Sequence, residues 1–290
     1  MTRKVDWDPI RALAQQVLER GEPLELSEDV RALLRRSARE VAIPTEDVKQ
    51  ALRSPRTATA LLRKIRQRLN AGSRRFGSAQ SRAYRLRDAG DLDGARKAME
   101  AVIAVEVVPF YRELAANMIS NLGWLQKVAK TGRVDPKLSG HSQLLILLHR
   151  LDQGKPLNLT MGMRAFLRHA ASEVAISQAE TKEALASPKS AGALLRKIVE
   201  RRQKGTKRLT RALARMMALR DAGDLEGARQ QMRDLLAVEV VPVYRRAAEE
   251  NLAGLDEPPP AHSSTLTGHT LQSAPHGPLV SPECDPPAEN

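Results

Sequence analysis

Along residues 62–76 the apolar side chains fall at helical spacing. On a wheel started at Arg63, Leu62, Ile65, Leu69 and Phe76 cluster at about 200–260°, while Arg74, Arg85, Lys64, Arg82, Arg75 and Arg68 lie at about 0–140°. A second stretch repeats this two-sided pattern. Leu194, Ile198, Leu209, Leu213 and Met216 take about 160–260°, opposite Arg196, Lys207, Arg211, Lys204, Lys197, Arg215, Arg208 and Arg201 at about 0–140°. Ser54-Pro55 and Ser187-Pro188 open the two helices, with serine as N-cap and proline where its missing N–H costs nothing. Gly72 and Gly205 sit on the apolar side, where they either allow a close helix approach or break the helix.

The remaining pattern is helical too. Ser27-Glu28-Asp29 predicts a helix start, with acids over the positive end of the dipole. Pro44-Thr45-Glu46-Asp47 is expected to stop that helix and cap the next. The long helix is expected to end near Arg87, and near Arg220 in the later stretch. Asp88-Ala89-Gly90-Asp91 then makes a turn in which glycine ends one helix and aspartate caps another, running toward Val108. Pro109 and Pro242 each mark a kink or a helix boundary. No segment shows sustained alternation, so the fold class expected is all-α.

These elements occur twice at a fixed offset of 133 residues. GEPLEL at 21–26 returns as GKPLNL at 154–159, SPRTATALLRKI at 54–65 as SPKSAGALLRKI at 187–198, and VEVVP at 105–109 unchanged at 238–242. Without a gap, residues 8–122 and 141–255 share about 52 identities in 115 positions. A period this long is two copies of one domain, not a short solenoid repeat. The expected organisation is a first copy at 1–127, a connector at 128–140 (rich in turn residues from Gly123 on), a second copy at 141–255 and a tail at 256–290. The tail holds eight prolines, five acids and no lysine or arginine, and is expected to be disordered.

Taken together, DWDPIRALAQQVLERGEPLEL, LRRSAREVAI, LRDAGDLDGAR and VEVVPFYR resemble the DUSAM domain, a paralogous family of myxobacteria. The resemblance covers about residues 5–125 and 138–255. The second copy departs at its start, where HSQLLILLHRLDQ replaces DPIRALAQQVLER. The resemblance implies two tandem domains of unknown function and carries no catalytic residues over.

Composition narrows the chemistry. The chain has 290 residues, a formal charge of +13, 3% aromatic residues and one cysteine. One cysteine excludes a disulfide framework and a multi-thiolate metal site. The longest apolar run, residues 144–148, is far below the roughly 20 residues of a membrane helix, and no signal peptide is visible, so a soluble cytoplasmic protein is expected. Residues 63–87 hold nine Lys/Arg and no acid, and residues 196–220 hold ten against Glu200 alone. Each stretch is +9, so the other residues net −5. The basicity belongs to one helix, twice.

That gives two candidate binding stripes. One comprises Arg63, Lys64, Arg68, Arg74, Arg75, Arg82 and Arg85. The other comprises Arg196, Lys197, Arg201, Lys204, Lys207, Arg208, Arg211 and Arg215. Each runs for roughly 35 Å at about 1.5 Å per residue. One reading is an anion-binding surface; the other is that these cations balance acidic helices within each domain. The expected partner is a protein with an acidic surface. Nucleic acid comes second, since no base-reading module is present and few aromatics exist for stacking. A membrane is not expected. No catalytic residue, cofactor or metal site is expected. His141, His149 and His169 lie in the second copy alone, and His149 and His169 align with Gln16 and Arg36 of the first. Asp88, Asp91 and Asp93 read as turn and cap residues rather than a calcium loop. Glu106, Tyr111 and Arg112, with Glu239, Tyr244 and Arg245, read as a buried polar cluster or the lining of a partner groove. His262, His269, His276 and Cys284 fall in the tail. The expected activity is therefore non-enzymatic interaction or scaffolding with a regulatory role.

Overall fold

The computed structural model describes residues 5–256, and all the helices are drawn from these; the tail, with its histidines and Cys284, lies outside them. Twelve α-helices and no strand occur among the described residues. The chain divides into two compact units, Met1–Gln126 and Lys127–Asn290.

In the first unit α1 (Asp8–Ala14) widens into a π-turn, Gln15–Glu19. It is followed by α2 (Glu28–Glu40), α3 (Thr45–Ala51), α4 (Pro55–Asp88), α5 (Leu92–Val105) and α6 (Pro109–Thr131), whose residues from Lys127 on are counted with the second unit. The spine is α4, 34 residues and about 51 Å long at 1.5 Å per residue. Its N-terminal half carries α1, α2 and α3, and α5 folds back along its C-terminal half. Ile10, Leu34, Leu62, Ile65 and Met99 are the largest buried side chains between them.

The helix starts follow local chemistry. Ser27 Oγ accepts from Val30 N at 3.3 Å, and Ser54 Oγ from Thr57 N at 3.3 Å, each satisfying one of the amides a helix start leaves open. At the α4–α5 turn, Gly90 takes the left-handed conformation with φ +84°, and Asp91 Oδ1 accepts from Gly94 N at 2.7 Å. Two helices end earlier than expected, and of the two readings for Pro109 and Pro242 it is the helix boundary that occurs. α2 stops at Glu40, ahead of Pro44, because Ala42 turns left-handed at φ +58° and Ile43 N closes back on Ala38 O at 2.8 Å. α5 stops at Val105, and Pro109 opens α6 as its first residue. Gly72 does not break α4.

The second unit repeats this with α7 (Gly140–Asp152), α8 (Met161–Glu173), α9 (Gln178–Ala184), α10 (Pro188–Asp221), α11 (Leu225–Val238) and α12 (Pro242–Asp256). The divergent start is helical, with Leu144, Ile146 and Leu147 buried. The segment expected as connector is helix as far as Thr131. Beyond it, Gln143 fixes the turn: its Oε1 accepts from Asp135 N at 2.7 Å, and its Nε2 donates to Asp135 O at 2.8 Å. No helix is long and apolar enough to cross a membrane, among the described residues.

Candidate functional site

Each long helix divides its cations into two classes. Arg68 is half-buried and points at the end of α2, where its Nη1 donates to Val41 O and Ala42 O, both at 2.8 Å. These carbonyls flank the left-handed Ala42, a conformation that costs a non-glycine residue about 1–2 kcal/mol. The guanidinium thus holds a helix end that the backbone alone disfavours. Arg201 does the same for Val174 and Ala175 at 3.0 and 2.9 Å, beside φ +56° at Ala175. Lys64 pairs with Asp47 at 3.6 Å, and its equivalent Lys197 pairs with Glu180. Arg196 pairs with Asp152 at 2.6 Å. Lys204 pairs with Glu200 one turn back at 2.6 Å, and that hydrogen bond holds the Glu200 carboxyl below its usual range.

Arg75 and Arg208 belong to a buried knot. Glu106 is 2% exposed; its Oε1 accepts from Val107 N and Val108 N at 2.9 and 2.8 Å, and its Oε2 takes Arg75. The carboxylate therefore caps the start of α6 from the residue that ends α5. Arg112 closes the corner by donating to Ile103 O at 2.5 Å and Glu106 O at 2.9 Å. Tyr111 lies over Gly72: a Cβ there would be 2.5 Å from the ring's Cδ2. Burial pushes the Tyr111 phenol above its ordinary value, against a hydrogen bond with Ser73 and the nearby Arg11. The second unit rebuilds the knot. Glu239 accepts from Val240 N and Val241 N at 3.0 and 2.8 Å and pairs with Arg208 at 2.9 Å, and Tyr244 lies over Gly205. The Glu–Tyr–Arg sets are structural clusters, as one of the two sequence readings had it.

The second class faces solvent. Arg63, Arg74, Arg82 and Arg85 are exposed and make no ion pair among the described residues. On α10 Lys207 and Arg215, equivalent to Arg74 and Arg82, are likewise exposed, as is Arg211, which stands where the first unit has Ser78. Arg63, Arg74 and Arg85 repeat every eleven residues, which is close to three helical turns, so they form a row with steps of about 16 Å. On α10 the spacing is four residues, a denser row with steps of about 6 Å. The continuous stripes drawn from the sequence are thus two shorter exposed rows, each beside cations with internal partners. The wheel gave the direction of each side chain. It did not show that Arg68 and Arg201 would reach backbone carbonyls 26 and 27 residues away.

The other candidates are accounted for locally. Asp91 and Asp224 are N-caps, and no group of three His, Cys, Asp or Glu side chains that could hold a metal ion occurs among the described residues. His169 approaches Glu173 at 3.6 Å on the same helix. Sequence reasoning missed Trp7, whose indole packs edge-on against Phe110 at 5.0 Å and donates to Glu40 at 3.1 Å. An aromatic just ahead of an Asp-Pro helix start was the available signal.

A family model described as a protein of unknown function (DUF2379) matches residues 5–122 and 140–255. No curated protein and no solved structure matches.

Proposed function

We propose that this chain, which belongs to the DUF2379 family through both of its units, is a non-enzymatic interaction protein that binds an acidic partner protein through the outer rows of α4 and α10. One observation carries the reading: Arg63, Arg74, Arg82 and Arg85, with Lys207, Arg211 and Arg215, are exposed and have no acid partner among the described residues, on helices whose neighbouring cations do take internal partners. Uncompensated rows of one sign attract the opposite sign and speed its encounter. The buried carboxylates Glu106 and Glu239 are consumed by caps, which supports a structural rather than a catalytic use for them.

A nucleic acid would meet the same charges but gain little else. Trp7, Phe76 and Tyr111 are buried, and of the eight aromatic residues only Trp124 is exposed, at 45%, so little aromatic surface is offered for base stacking. The test is binding of the full chain to an acidic protein and to duplex DNA across a salt series, with Arg74→Gln, Arg82→Gln and Arg85→Gln combined, and Lys207→Gln, Arg211→Gln and Arg215→Gln combined. Weakened binding to the acidic protein in both variants is expected. DNA binding that dominates, with a salt slope falling by up to about three at about 0.9 per lost phosphate contact, would turn the assignment to nucleic acid.

A further inference from the structure

Between Arg63 and Arg74 the surface of α4 is not flat. A groove of about 270 Å³ opens there against α1 and its π-turn. Its floor is apolar: Ile10, Ala14 and Leu69, all buried. At one end Arg66 and Glu19 pair across the rim. At the other stand Arg11, itself paired with the exposed Asp8 at 3.3 Å, and Asn70, one helical turn before Arg74.

Two features set this place apart from its counterpart in the second unit. The first is the backbone. After Ala14 the helix widens, with Arg20 N reaching Gln15 O at 3.1 Å and Glu22 N reaching Gln16 O at 3.2 Å. The equivalent residues 148–152 are ordinary α-helix. The second is the filling. Leu147 stands at the place of Ala14 and Leu144 at the place of Arg11, and both are buried. The second unit thus has buried leucines at the positions where the first unit has an alanine on the groove floor and a guanidinium at its rim.

We propose that the first unit's groove seats a leucine side chain from an acidic segment of a partner protein, with the segment's flanking carboxylates on Arg11, Arg63 and Arg74. The size and chemistry of the occupant follow from what the second unit places there itself, and its charge follows from the row that brackets the groove. An apolar anchor in a pocket ringed by charged contacts is a common way to concentrate binding energy. The proposal rests on the acidic-partner reading and gives it a specific anchor. The second unit, its groove filled, contributes charge alone.

The experiment uses the full chain and two labelled ten-residue peptides of aspartate and glutamate, one with a central leucine and one with alanine in its place. The leucine peptide should bind about tenfold more tightly, as expected for burying one such side chain. It should also shift the methyl resonances of Ile10, Ala14 and Leu69, which the alanine peptide should leave in place. Ala14→Leu, which copies the second unit, should abolish the preference. The methyl shifts decide the matter without that variant if it fails to fold. Equal, salt-sensitive binding of both peptides overturns the groove and leaves the basic rows standing. A leucine preference with unmoved methyls, or one retained in a folded Ala14→Leu variant, also overturns it. A leucine preference with those methyls shifted, but insensitive to salt and to the Arg74, Arg82 and Arg85 substitutions, upholds the groove and removes the rows. No binding of either peptide overturns both.

Discussion

Trp7 in the first unit and Gly140 in the second occupy the same place in the repeat, and the residues around them differ as a set. Trp7 packs on Phe110 and Tyr111, and Tyr111 stacks on Phe76 at 6.2 Å. The second unit has Gly140, Leu209, Val243 and Tyr244 at these four places, and only the tyrosine is kept. Glu40, which accepts the Trp7 indole N–H, corresponds to Glu173, which instead takes Arg202 at 2.5 Å. Without a tryptophan overhead, Val243 is 58% exposed. The polar joints show the opposite behaviour. The Glu106 and Glu239 caps, the Arg68 and Arg201 clamps and the Asp91 and Asp224 N-caps are the same residues making the same bonds. Apolar packing tolerates many solutions of similar volume, whereas a buried polar group needs its particular partner. The shared fold rests on the joints, and the difference between the units on what fills the spaces.

The sharpest way to break that comparison is Trp7→Ala. It removes the centre of the aromatic cluster and leaves Glu40 without its donor, at a cost of about 3 kcal/mol, typical of a large buried aromatic. Hydrogen exchange read separately over 5–126 and 127–256 should show the loss in the first unit alone. Equal loss in both, or none, would mean that the aromatic cluster is not what distinguishes them.

Glu106→Ala and Glu239→Ala should act alike in their own units. Each orphans two amides, one of them buried, and strips a guanidinium of its partner, at a cost of about 2 kcal/mol. Glu106→Gln and Glu239→Gln keep an oxygen for both amides and lose only the charge, so they should cost about half as much. Thermal unfolding of the four variants measures the ranking. A glutamine variant as damaged as the alanine one would place the worth of the joint in the ion pair instead.

Gly72→Ala and Gly205→Ala should cost less, because two effects oppose. Alanine gains up to about 1 kcal/mol of helix propensity over glycine. The new Cβ meets the Tyr111 ring at 2.5 Å, and the Tyr244 ring closer still, an overpacking worth about 1–3 kcal/mol. The net is a loss of about 1 kcal/mol in either unit. Adding Tyr111→Leu or Tyr244→Leu should relieve the clash. A stabilised single variant would show that the ring gives way freely.

The sequence already carried much of this. Duplication was legible because the register holds without a gap over 115 positions, and the N-caps were legible because Ser-Pro and Gly-Asp act within one turn of themselves. Gly72 and Gly205 were placed on the buried side, though only the tyrosine above them explains why. What stayed hidden depends on distance. The π-turn has no residue signature in Gln15–Glu19, and the left-handed Ala42 and Ala175 are alanines, not glycines. A wheel cannot tell Arg74, which faces water, from Arg75, which meets a carboxylate 31 residues on.

That last pair supplies the finest test. Arg74 and Arg75 are adjacent and carry the same charge, and so do Lys207 and Arg208. Arg75→Gln and Arg208→Gln should each cost about 1 kcal/mol, since each leaves a buried carboxylate with its amides but without its cation. The neighbouring Arg74→Gln and Lys207→Gln should change stability by less than about 0.5 kcal/mol, as exposed substitutions usually do. Net charge falls by one in every case, so general electrostatics cannot separate the variants. If the rows bind an acidic partner, Arg74→Gln and Lys207→Gln should weaken that binding without touching the melting temperature, while Arg75→Gln and Arg208→Gln lower the melting temperature first. Equal stability losses for both neighbours would mean that the outer row is held internally as well. Equal binding losses at unchanged stability would mean that the partner reads the helix's total charge and not its outer face. The two units should also differ in degree. On α10 the row repeats every four residues, so the partner still feels Arg211 about 6 Å from Lys207, and loss of Lys207 alone is partly covered. On α4 the nearest exposed cation of the outer row, Arg82, stands about 12 Å from Arg74, with Arg63 and Arg85 about 16 Å away, all beyond the roughly 8 Å over which charges act in physiological salt, so loss of Arg74 should be the greater of the two.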